Sequence, residues 1–306
     1  MARHVLITGA AGGLGSAISE RFAAAGDRIT GVDAREAPLR DRLDALAAAH
    51  GVAVDAITAD LSDPAAGAVV DQAWERSGPV DVLVNAAGIW PATPLLEMTA
   101  PMWDHVLAIN TRAPMLTTVA LGRLAVAAGR PASVVNIASG AAIRARPGAA
   151  HYCTSKAALE MLTRSCAVEL GGQGIRVNAV SPGFVAGSSQ DVNPVTEEYA
   201  AAVSGNALGR IGQPADVAAA VFFLASPEAA WTTGAVLRVD GGSSAGNPAL
   251  PLHWTGATSA HRVRARGAAG QHRQGRPGLG QAPVRGPAHR DPHDERGSRR
   301  RLDASE

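Results

Sequence analysis

The strongest constraint on the fold is an alternation of two patterns between residues 4 and 240. Short apolar runs rich in β-branched residues are separated by alanine-rich stretches of helical period. Because strand, helix and strand connect through a right-handed crossover, the alternation predicts parallel strands. Several runs are apolar on both faces, which indicates a sheet covered on both sides. The sequence therefore predicts an α/β fold, a doubly wound parallel seven-stranded sheet with helices on both faces. The predicted strands are 4–8, 28–33, 52–57, 80–84, 133–138, 175–180 and 235–239, and the predicted helices include 14–25, 36–49, 64–76 and 102–128.

The composition excludes several classes of protein. With 306 residues, of which 46% are hydrophobic, the chain can bury a sizeable core. No apolar run approaches the roughly 18 residues that span a bilayer, and no charged-then-apolar leader precedes the first predicted strand. The two cysteines, Cys153 and Cys166, have no metal-ligand spacing. We therefore expect a cytoplasmic protein that uses neither a membrane segment nor a metal.

The net charge of +1 hides an asymmetry along the chain. Residues 1–250 contain 17 basic and 22 acidic residues, whereas residues 251–306 contain 11 and 5. The segment 246–306 is rich in Arg, Gly and Pro, which predicts a disordered tail or an out-of-frame extension of a GC-rich gene. The alternative is an arginine-rich arm for nucleic acid or a neighbouring subunit. Its arginines form no stripe and no aromatic residues are interleaved with them, so we expect no nucleic-acid partner.

A glycine-rich loop follows the first predicted strand immediately. Its sequence, TGAAGGLG at 8–15, leads directly into a helix. Glycine lets the backbone turn tightly and approach a pyrophosphate, while the first N–H groups of the helix face the negative charge. Close helix–sheet packing would also need glycine, so the strand-turn-helix context is what favours phosphate binding. Gly9, Gly13, Leu14 and Gly15 are therefore candidate dinucleotide contacts.

The end of the second strand indicates which dinucleotide binds. Asp33 lies 18 residues beyond Gly15, where a carboxylate accepts hydrogen bonds from ribose hydroxyls and repels a 2′-phosphate. Arg35 leaves some room for NADP, but Asp33 favours NAD. The next two strand ends supply further candidate cofactor residues: Asp60 and Leu61 at the adenine, and Asn85, Ala86 and Gly88 at the adenosine ribose.

The predicted helix that begins at Tyr152 carries the chemistry. Lys156 lies four residues later, so the phenol and the ammonium share a helix face. A phenol that acts as a base near pH 7 needs its pKa lowered from about 10, which we expect the ammonium and an oxidised nicotinamide to do. Tyr-x-x-x-Lys pairs also occur by chance, but Lys156 is the only lysine in the chain. Tyr152 is therefore the predicted general acid/base.

Two more polar residues complete the predicted catalytic group. Ser139 ends the fifth strand, where its hydroxyl would hydrogen-bond the substrate oxygen during hydride transfer, although a simple strand-end cap is the alternative. Asn110 falls within a predicted helix, where a buried amide needs partners. A water held beside Lys156 would give the Asn110 amide hydrogen-bond partners and would open a proton path to solvent.

Five motifs occur in a fixed order: TGAAGGLG at 8–15, NAAG at 85–88, YCTSK at 152–156, SPGFV at 181–185 and VDGG at 239–242. With Asn110 and Ser139 between them, they closely resemble the short-chain dehydrogenase/reductase family over residues 4–242. The resemblance implies a Rossmann-type fold, a catalytic tetrad of Asn110, Ser139, Tyr152 and Lys156, and a homotetramer or homodimer. It also implies that Lys156 binds the nicotinamide ribose. The backbone after Pro182 and Gly183 would hold the carboxamide, with Val185 as a further contact.

The stretch after Pro182-Gly183 departs from the family's pattern. A threonine that meets the cofactor usually follows, but Ala186 and Gly187 fill this stretch. Either Ser188 or Ser189 substitutes, or the grip on the cofactor is weaker. We expect residues 187–212 to form a substrate lid on a single dinucleotide-binding and catalytic domain, residues 1–245.

The substrate pocket is predicted from residues around these motifs. Arg144 or Arg146 is a candidate partner for a carboxylate or phosphate, although a solvent-facing arginine is commoner in such loops. The predicted lining residues are Trp90, Ile143, Arg144, His151, Phe184 and Tyr199.

Three functions remain open at this point. The first is an oxidoreductase that transfers a hydride between NAD(H) and a small secondary alcohol or ketone. The second is a 3-oxoacyl-(acyl-carrier-protein)-type reductase that uses NADPH, against which Asp33 counts. The third is a dinucleotide-binding regulator without turnover, against which the complete tetrad counts.

Overall fold

Seven strands form in the computed structural model, which describes residues 2–187, 196–246 and 250. They are β1 (His4–Thr8), β2 (Arg28–Asp33), β3 (Val54–Thr58), β4 (Val82–Asn85), β5 (Ala132–Ile137), β6 (Ile175–Pro182) and β7 (Val236–Val239). The helices are α1 (Gly13–Ala23), α2 (Glu36–His50), α3 (Ala68–Ser77), α4 (Ala100–Leu107), α5 (Ala113–Ala127), α6 (Ala150–Leu170), α7 (Glu197–Val203) and α8 (Pro214–Ala225). The strands form one sheet in the order β3-β2-β1-β4-β5-β6-β7, and every pair is parallel. The predicted fold class, a doubly wound parallel seven-stranded sheet, is confirmed.

The sheet is buried on both faces, and alternate side chains of each central strand enter different cores. Val5 and Ile7 of β1 pack with α1, α2 and α8, whereas Leu6 between them packs with α3, α5 and α6. All five residues of β1 are buried. This two-sided burial explains why the central strands are continuous apolar runs rather than alternating ones.

The topology brings the predicted site residues to one edge. The chain reverses its direction of strand addition between β1 and β4, which is a topological switch point. Because all strands are parallel, the segments that follow β1 to β6 leave the sheet at the same edge. The glycine loop, Asp33, Asn85, Ser139 and Pro182 therefore lie at the carboxyl end of the sheet.

The predicted helix 102–128 is interrupted in the structure. A π-helical turn, Ala108–Arg112, separates α4 from α5 and carries Asn110. Pro114 has no N–H with which to donate the α-helical hydrogen bond to the carbonyl of Asn110, so a regular helix cannot pass this point. The helical period of the apolar residues continues across the break, so the sequence pattern predicted one uninterrupted helix.

Other boundaries differ by a few residues. The predicted helix 64–76 begins at Ala68. Gly67, the residue before it, packs closely against α5: a Cβ atom there would lie 3.1 Å from the carbonyl oxygen of Leu116. β3 and β4 begin two residues later than predicted, at Val54 and Val82.

Parts of two predicted segments lie outside the described residues. They are 188–195 of the predicted lid and, apart from Gly246 and Leu250, the predicted tail 246–306. The described residues all belong to one compact unit, Met1–Pro251. Within them, no helix has both the length and the apolar character to cross a membrane. The same residues contain no group of three His, Cys, Asp or Glu side chains that could hold a metal ion.

Candidate active site

The glycine loop connects β1 to α1 so tightly that two positions accept only glycine. Gly9 has a φ of +71°, and a Cβ atom there would lie 2.8 Å from the Cα atom of Ala87. A Cβ atom on Gly15 would lie 2.1 Å from the carbonyl oxygen of Gly9. Gly13 and Leu14 are the first two residues of α1, whose first N–H groups have no acceptor within the helix. The loop is thus built for close approach of a pyrophosphate.

Asp33 ends β2 beside this loop and is almost completely buried. Its carboxylate accepts hydrogen bonds from the backbone N–H groups of Ala11 and Arg35, both at 3.1 Å. The Arg35 side chain also donates to it, with 3.2 Å between Nε and Oδ1. An acidic group is therefore fixed next to the phosphate loop, as the ribose of a dinucleotide requires, with a cation directly beside it.

Asp60 and Leu61, predicted near the adenine, have different surroundings. Asp60 is exposed after β3 and accepts a hydrogen bond of 2.8 Å from the backbone N–H of Ser62, which holds the pKa of the Asp60 carboxyl below its usual value. Leu61 is buried and packs in the core with α3. Only Asp60 therefore has a side chain that a ligand in solution can reach.

The side chain of Asn85 belongs to a buried polar chain that crosses β4 and β5. Its amide donates to Asn136 Oδ1 at 2.9 Å and its carbonyl oxygen accepts from Thr117 Oγ1 at 2.8 Å. Asn136 in turn donates to Thr163 Oγ1 at 3.0 Å. The side chain of Asn85 therefore joins α5 and α6 through the sheet, and only its backbone remains at the edge.

The two predicted residues that follow Asn85 lie between the glycine loop and the catalytic group. The N–H groups of Ala86 and Ala87 both donate to Thr8 Oγ1 at 3.1 Å. A Cβ atom on Gly88 would lie 3.3 Å from Asn110 Oδ1 and 3.4 Å from Lys156 Nζ. The NAAG segment therefore bridges β1 and the ammonium.

Tyr152 lies in the first turn of α6 and is 8% exposed. Its ring centroid is 6.3 Å from that of Trp90 and 5.3 Å from the Arg146 guanidinium carbon. Burial raises the pKa of the Tyr152 phenol, while a hydrogen bond with Ser139 and the charge of Arg146 act in the opposite direction. Burial outweighs both, and Arg146 is the cation whose charge acts on the phenol. The lowering of this pKa by Lys156 together with an oxidised nicotinamide concerns the cofactor-bound enzyme and stays a prediction.

Lys156 shares the predicted helix face with Tyr152 and is 4% exposed. Its ammonium lies 5.9 Å from the Tyr152 ring centroid and donates to the carbonyl oxygen of Ile137 at 2.8 Å. Burial lowers the pKa of Lys156 to about 8. The fold thus holds a poorly solvated ammonium beside the buried phenol, with one hydrogen-bond acceptor among the described residues.

Ser139 immediately follows β5 and meets Tyr152 from the sheet. Its hydroxyl oxygen accepts from the N–H of Ala141 at 3.1 Å, so it does cap a short turn. The Ser139 side chain also lowers the pKa of the Tyr152 phenol. The two interpretations considered for this serine, a cap and a substrate contact, are therefore compatible.

Asn110 is completely buried in the π-helical turn. Its Oδ1 accepts from the N–H of Ile89 at 2.9 Å, and its amide donates to the carbonyl of Ile89 at 2.8 Å and to Ser155 Oγ at 3.0 Å. We expected this amide to hold a water beside Lys156; its two donors are instead used to brace α6 against the segment after β4. Ser155 lies within the YCTSK motif, yet the sequence analysis assigned it no role.

The end of β6 packs against the segment after β7. Gly183 donates to the carbonyl of Val239 at 3.0 Å, and a Cβ atom on Gly183 would lie 2.8 Å from the Cα atom of Asp240. This contact fixes Pro182 and Gly183, the predicted carboxamide contacts, at the sheet edge.

The two ends of the predicted lid lie next to each other on the body of the domain. Val185, a predicted cofactor contact, forms a parallel bridge with Gly212. Gly212 donates to the carbonyl of Phe184 at 3.1 Å and accepts from Ala186 at 2.9 Å. The described part of the lid after α7 also docks on the body, since Leu208 donates to the carbonyl of Gly241 at 3.1 Å.

The predicted pocket residues differ in their availability to a substrate. His151 is completely buried and accepts the N–H of Tyr152 at 2.9 Å, so it cannot line an open pocket. Arg144 donates to the backbone carbonyl and hydroxyl of Ser243 at 2.9 and 3.3 Å. Arg146 instead lies over Tyr152 and donates to the hydroxyl of Tyr199 on α7. Of the two arginines considered, only Arg146 meets the acid/base candidate.

Comparisons with known proteins agree with this geometry. A family model described as enoyl-(acyl carrier protein) reductase matches residues 9–244. A galactitol 2-dehydrogenase (L-tagatose-forming) of Cereibacter sphaeroides is 40% identical, over 77% of this chain and 92% of that protein. A 3-oxoacyl-(acyl-carrier-protein) reductase of Thermotoga maritima is 36% identical, over 78% and 96%. Among solved structures, a blue fluorescent protein from a metagenomic library, in complex with NADPH, has a TM-score of 0.71 and 38% identity, covering 79% of this chain and 98% of that one.

The fold, the phosphate loop and the buried tyrosine and lysine thus coincide with sequence similarity that extends over more than three quarters of the chain. Its relatives act on alcohols and carbonyl compounds, and the family recognised in the sequence motifs is confirmed. The chain belongs to the short-chain dehydrogenase/reductase family and is an NAD(P)-dependent oxidoreductase that interconverts secondary alcohols and ketones.

Proposed function

We propose that Tyr152 is the general acid/base of this oxidoreductase and that NAD(H) is its preferred cofactor. The observation that carries the proposal is the buried cluster in which Ser139 lowers the pKa of the Tyr152 phenol and the Lys156 ammonium lies 5.9 Å from the centroid of the Tyr152 ring. A dinucleotide that lies along the sheet edge from the glycine loop would end beside this cluster.

In alcohol oxidation, Tyr152 accepts the hydroxyl proton of the substrate, and Ser139 donates a hydrogen bond to the oxygen as it becomes a carbonyl. When bound, the nicotinamide cofactor accepts the hydride from the carbinol carbon, or supplies it in the reverse reaction. Lys156 holds positive charge beside the phenolate and would bind the nicotinamide ribose. Asn110 braces the helix that carries Tyr152 with both of its amide donors. As part of the proposed tetrad, its Oδ1, which accepts one hydrogen bond and has a second lone pair, would support a water in the proton path from Lys156.

The preference for NAD rests on Asp33. Its carboxylate is fixed by the N–H of Ala11 beside the phosphate loop, where a 2′-phosphate would meet like charge. Arg35 neutralises part of that charge, which would leave NADP as a weaker cofactor. The candidate contacts Gly9, Gly13, Leu14, Gly15, Asp60, Leu61, Asn85, Ala86, Gly88, Pro182, Gly183 and Val185 complete the proposed cofactor site, with Leu61 and Asn85 contributing backbone.

The remaining proposals concern organisation. We propose that residues 1–245 form the catalytic domain, that residues 187–212 form a substrate lid, and that the chain works as a homotetramer or homodimer in the cytoplasm. The names of its relatives favour polyhydroxylated alcohols and ketoses as the substrate type. Deletion of residues 247–306 should preserve both activity and assembly; loss of either would assign the tail a role.

The test is a cofactor-dependent activity screen on the purified full chain. Initial rates with NAD⁺ and NADP⁺ on sugar alcohols and simple secondary alcohols, and with NADH and NADPH on ketones and 3-oxoacyl thioesters, would rank the substrates. Tyr152→Phe should lower kcat by about 100-fold or more while its cofactor affinity stays nearly unchanged. A strong preference for NADPH with acyl thioesters would overturn the proposed cofactor and substrate class. Retained turnover in Tyr152→Phe would overturn the role of the tyrosine.

A further inference from the structure

Arg146 is a cation at the catalytic centre that the reaction as proposed does not use. Its guanidinium carbon lies 5.3 Å from the centroid of the Tyr152 ring, and one terminal nitrogen donates to the hydroxyl of Tyr199. Its Nε–H is buried and has no acceptor among the described residues. A guanidinium presents its N–H donors in one plane, so the Tyr199 contact uses only part of its hydrogen-bonding capacity.

Within the described residues Arg146 forms no ion pair with a carboxylate, whereas seven other arginines do. The charge of Arg146 reaches the Tyr152 phenol, and the other groups that act on that phenol electrostatically are Cys153 and Tyr199. A half-buried cation with a buried, unused donor is costly unless a ligand completes it.

Arg144, two residues earlier, shows how this loop satisfies an arginine that has a structural role. Both of its terminal nitrogens donate to Ser243, one to the backbone carbonyl and one to the hydroxyl. The same loop therefore contains one arginine held by protein acceptors and one left facing the acid/base tyrosine. This difference indicates that the role of Arg146 is to bind a ligand and not to pack the loop.

We propose that Arg146 binds an oxyanion carried by the substrate, so that the preferred alcohol is a hydroxy acid or a phosphorylated alcohol rather than a neutral one. The inference deepens the proposed function and rests on its assignment of Tyr152. A planar guanidinium pairs with carboxylate or phosphate through two parallel hydrogen bonds. Because the same phenol receives the hydroxyl proton and lies under the guanidinium, the oxyanion lies within a few carbon atoms of the reacting carbon.

The contact with Tyr199 links this recognition to the lid. Tyr199 is on α7, inside the proposed lid segment, and its hydroxyl accepts from Arg146. An oxyanion that pairs with the guanidinium would lie between the catalytic helix and the lid. Tyr199 is therefore a positioning residue for Arg146.

The test compares chemically matched substrates on the full chain and on three variants. The substrates are 3-hydroxybutyrate and its methyl ester, glycerol 3-phosphate and glycerol, and gluconate and sorbitol, each with the cofactor that the screen selects. We expect wild type to favour the anionic member of at least one pair. Arg146→Met should lower kcat/KM for that member by about 100-fold, largely through KM, while the neutral member changes little. Arg146→Lys should restore part of the loss, and Arg144→Met should leave the anionic-to-neutral ratio unchanged.

A binding measurement separates failure of this inference from failure of the proposed function. Calorimetric titration of cofactor-loaded Tyr152→Phe with the preferred anion should show binding that Arg146→Met in the same background removes. The inference is overturned if wild type favours the neutral member of every pair. It is also overturned if Arg146→Met lowers kcat/KM equally for the anionic and the neutral member. Activity of Tyr152→Phe would overturn the acid/base assignment and leave the anion-binding result standing.

Discussion

The ammonium of Lys156 lies 5.9 Å from the centroid of the Tyr152 ring, with both side chains almost fully buried on one face of α6. Neither group has the solvent that would normally stabilise its charged form. Burial therefore disfavours the charged form of each group, which lowers the pKa of the lysine and raises that of the tyrosine. The site thus stores an unfavourable charge that cofactor and substrate can stabilise.

This cost should be visible in folding stability. The pKa of Lys156 is lowered from 10.5 to about 8 in the folded chain, so the folded state binds fewer protons than the unfolded state between those values. Its penalty is fully present below about pH 8 and disappears as the pH rises toward the unfolded value. We expect the free energy of unfolding of wild type, relative to Lys156→Met, to increase by about 3 kcal/mol from pH 7 to pH 10.5. Denaturant unfolding of both proteins across this range measures it, and a pH-independent difference would contradict the buried charged state.

Replacing Asp33 by Asn should change the choice of dinucleotide. The amide oxygen of Asn can still accept the N–H of Ala11, while the negative charge that repels a 2′-phosphate is lost. The ratio of kcat/KM for NAD⁺ over NADP⁺ should fall about tenfold, which corresponds to roughly 1.4 kcal/mol. Asp60→Asn, at an exposed carboxylate after β3, is the matched control and should keep the ratio near that of wild type. An unchanged ratio in Asp33→Asn would mean that this carboxylate does not select the cofactor.

Gly15→Ala should disrupt the phosphate loop. The added methyl group would lie 2.1 Å from the carbonyl oxygen of Gly9, so the loop and the start of α1 must move apart. We expect cofactor affinity to fall by about tenfold or more, since the loop's N–H groups lose their arrangement. Gly171→Ala is the matched control, because a Cβ atom there meets nothing within 4 Å and φ is −58°. Cofactor titration monitored by fluorescence should separate the two, and wild-type affinity in Gly15→Ala would refute the proposed pyrophosphate site.

Asn110→Ala should destabilise the fold as well as lower the rate of catalysis. The change leaves the N–H and carbonyl of Ile89 without their side-chain partner and removes the donor to Ser155, whose hydroxyl keeps its bond to the carbonyl of Tyr152. A loss of about 3 kcal/mol in the free energy of unfolding is expected, since each unsatisfied buried group costs about 1–3 kcal/mol. Thr154→Ala, at an exposed position of α6, should change stability by less than about 0.5 kcal/mol. Thermal and urea unfolding provide the measurement; equal stability of Asn110→Ala and wild type would show that the bracing contacts are dispensable.

The sheet could be predicted from the sequence, because each strand and the glycine loop are marked by a pattern within a few neighbouring residues. β1 and β2 have the predicted limits, and the glycine loop follows β1 as expected. Parallel pairing then required all the motif residues to meet at one edge. The break at Ala108–Arg112 was missed because its apolar spacing still fits a helix, although Pro114 was a local signal for it.

The surroundings of the catalytic groups were not predictable from the same patterns. Asn110 pairs with Ser155, which is 45 residues away, and Arg146 pairs with Tyr199, which is 53 residues away. The direction of the pKa change at Tyr152 depends on how completely the fold removes water from the phenol. Charge proximity along one helix, which the sequence does reveal, does not predict this direction, since burial of the phenol raises its pKa.

The bridge between Val185 and Gly212 has an evolutionary consequence. The intervening chain starts and finishes at neighbouring backbone positions, so its length can diverge without altering strand registration, while Tyr199 remains its described contact with Arg146. Exchange of this insert among relatives would then redirect which molecules are accepted while the chemical step stays constant. Changes in this insert and in the loop that contains Arg146 would thus allow one fold to act on new substrates.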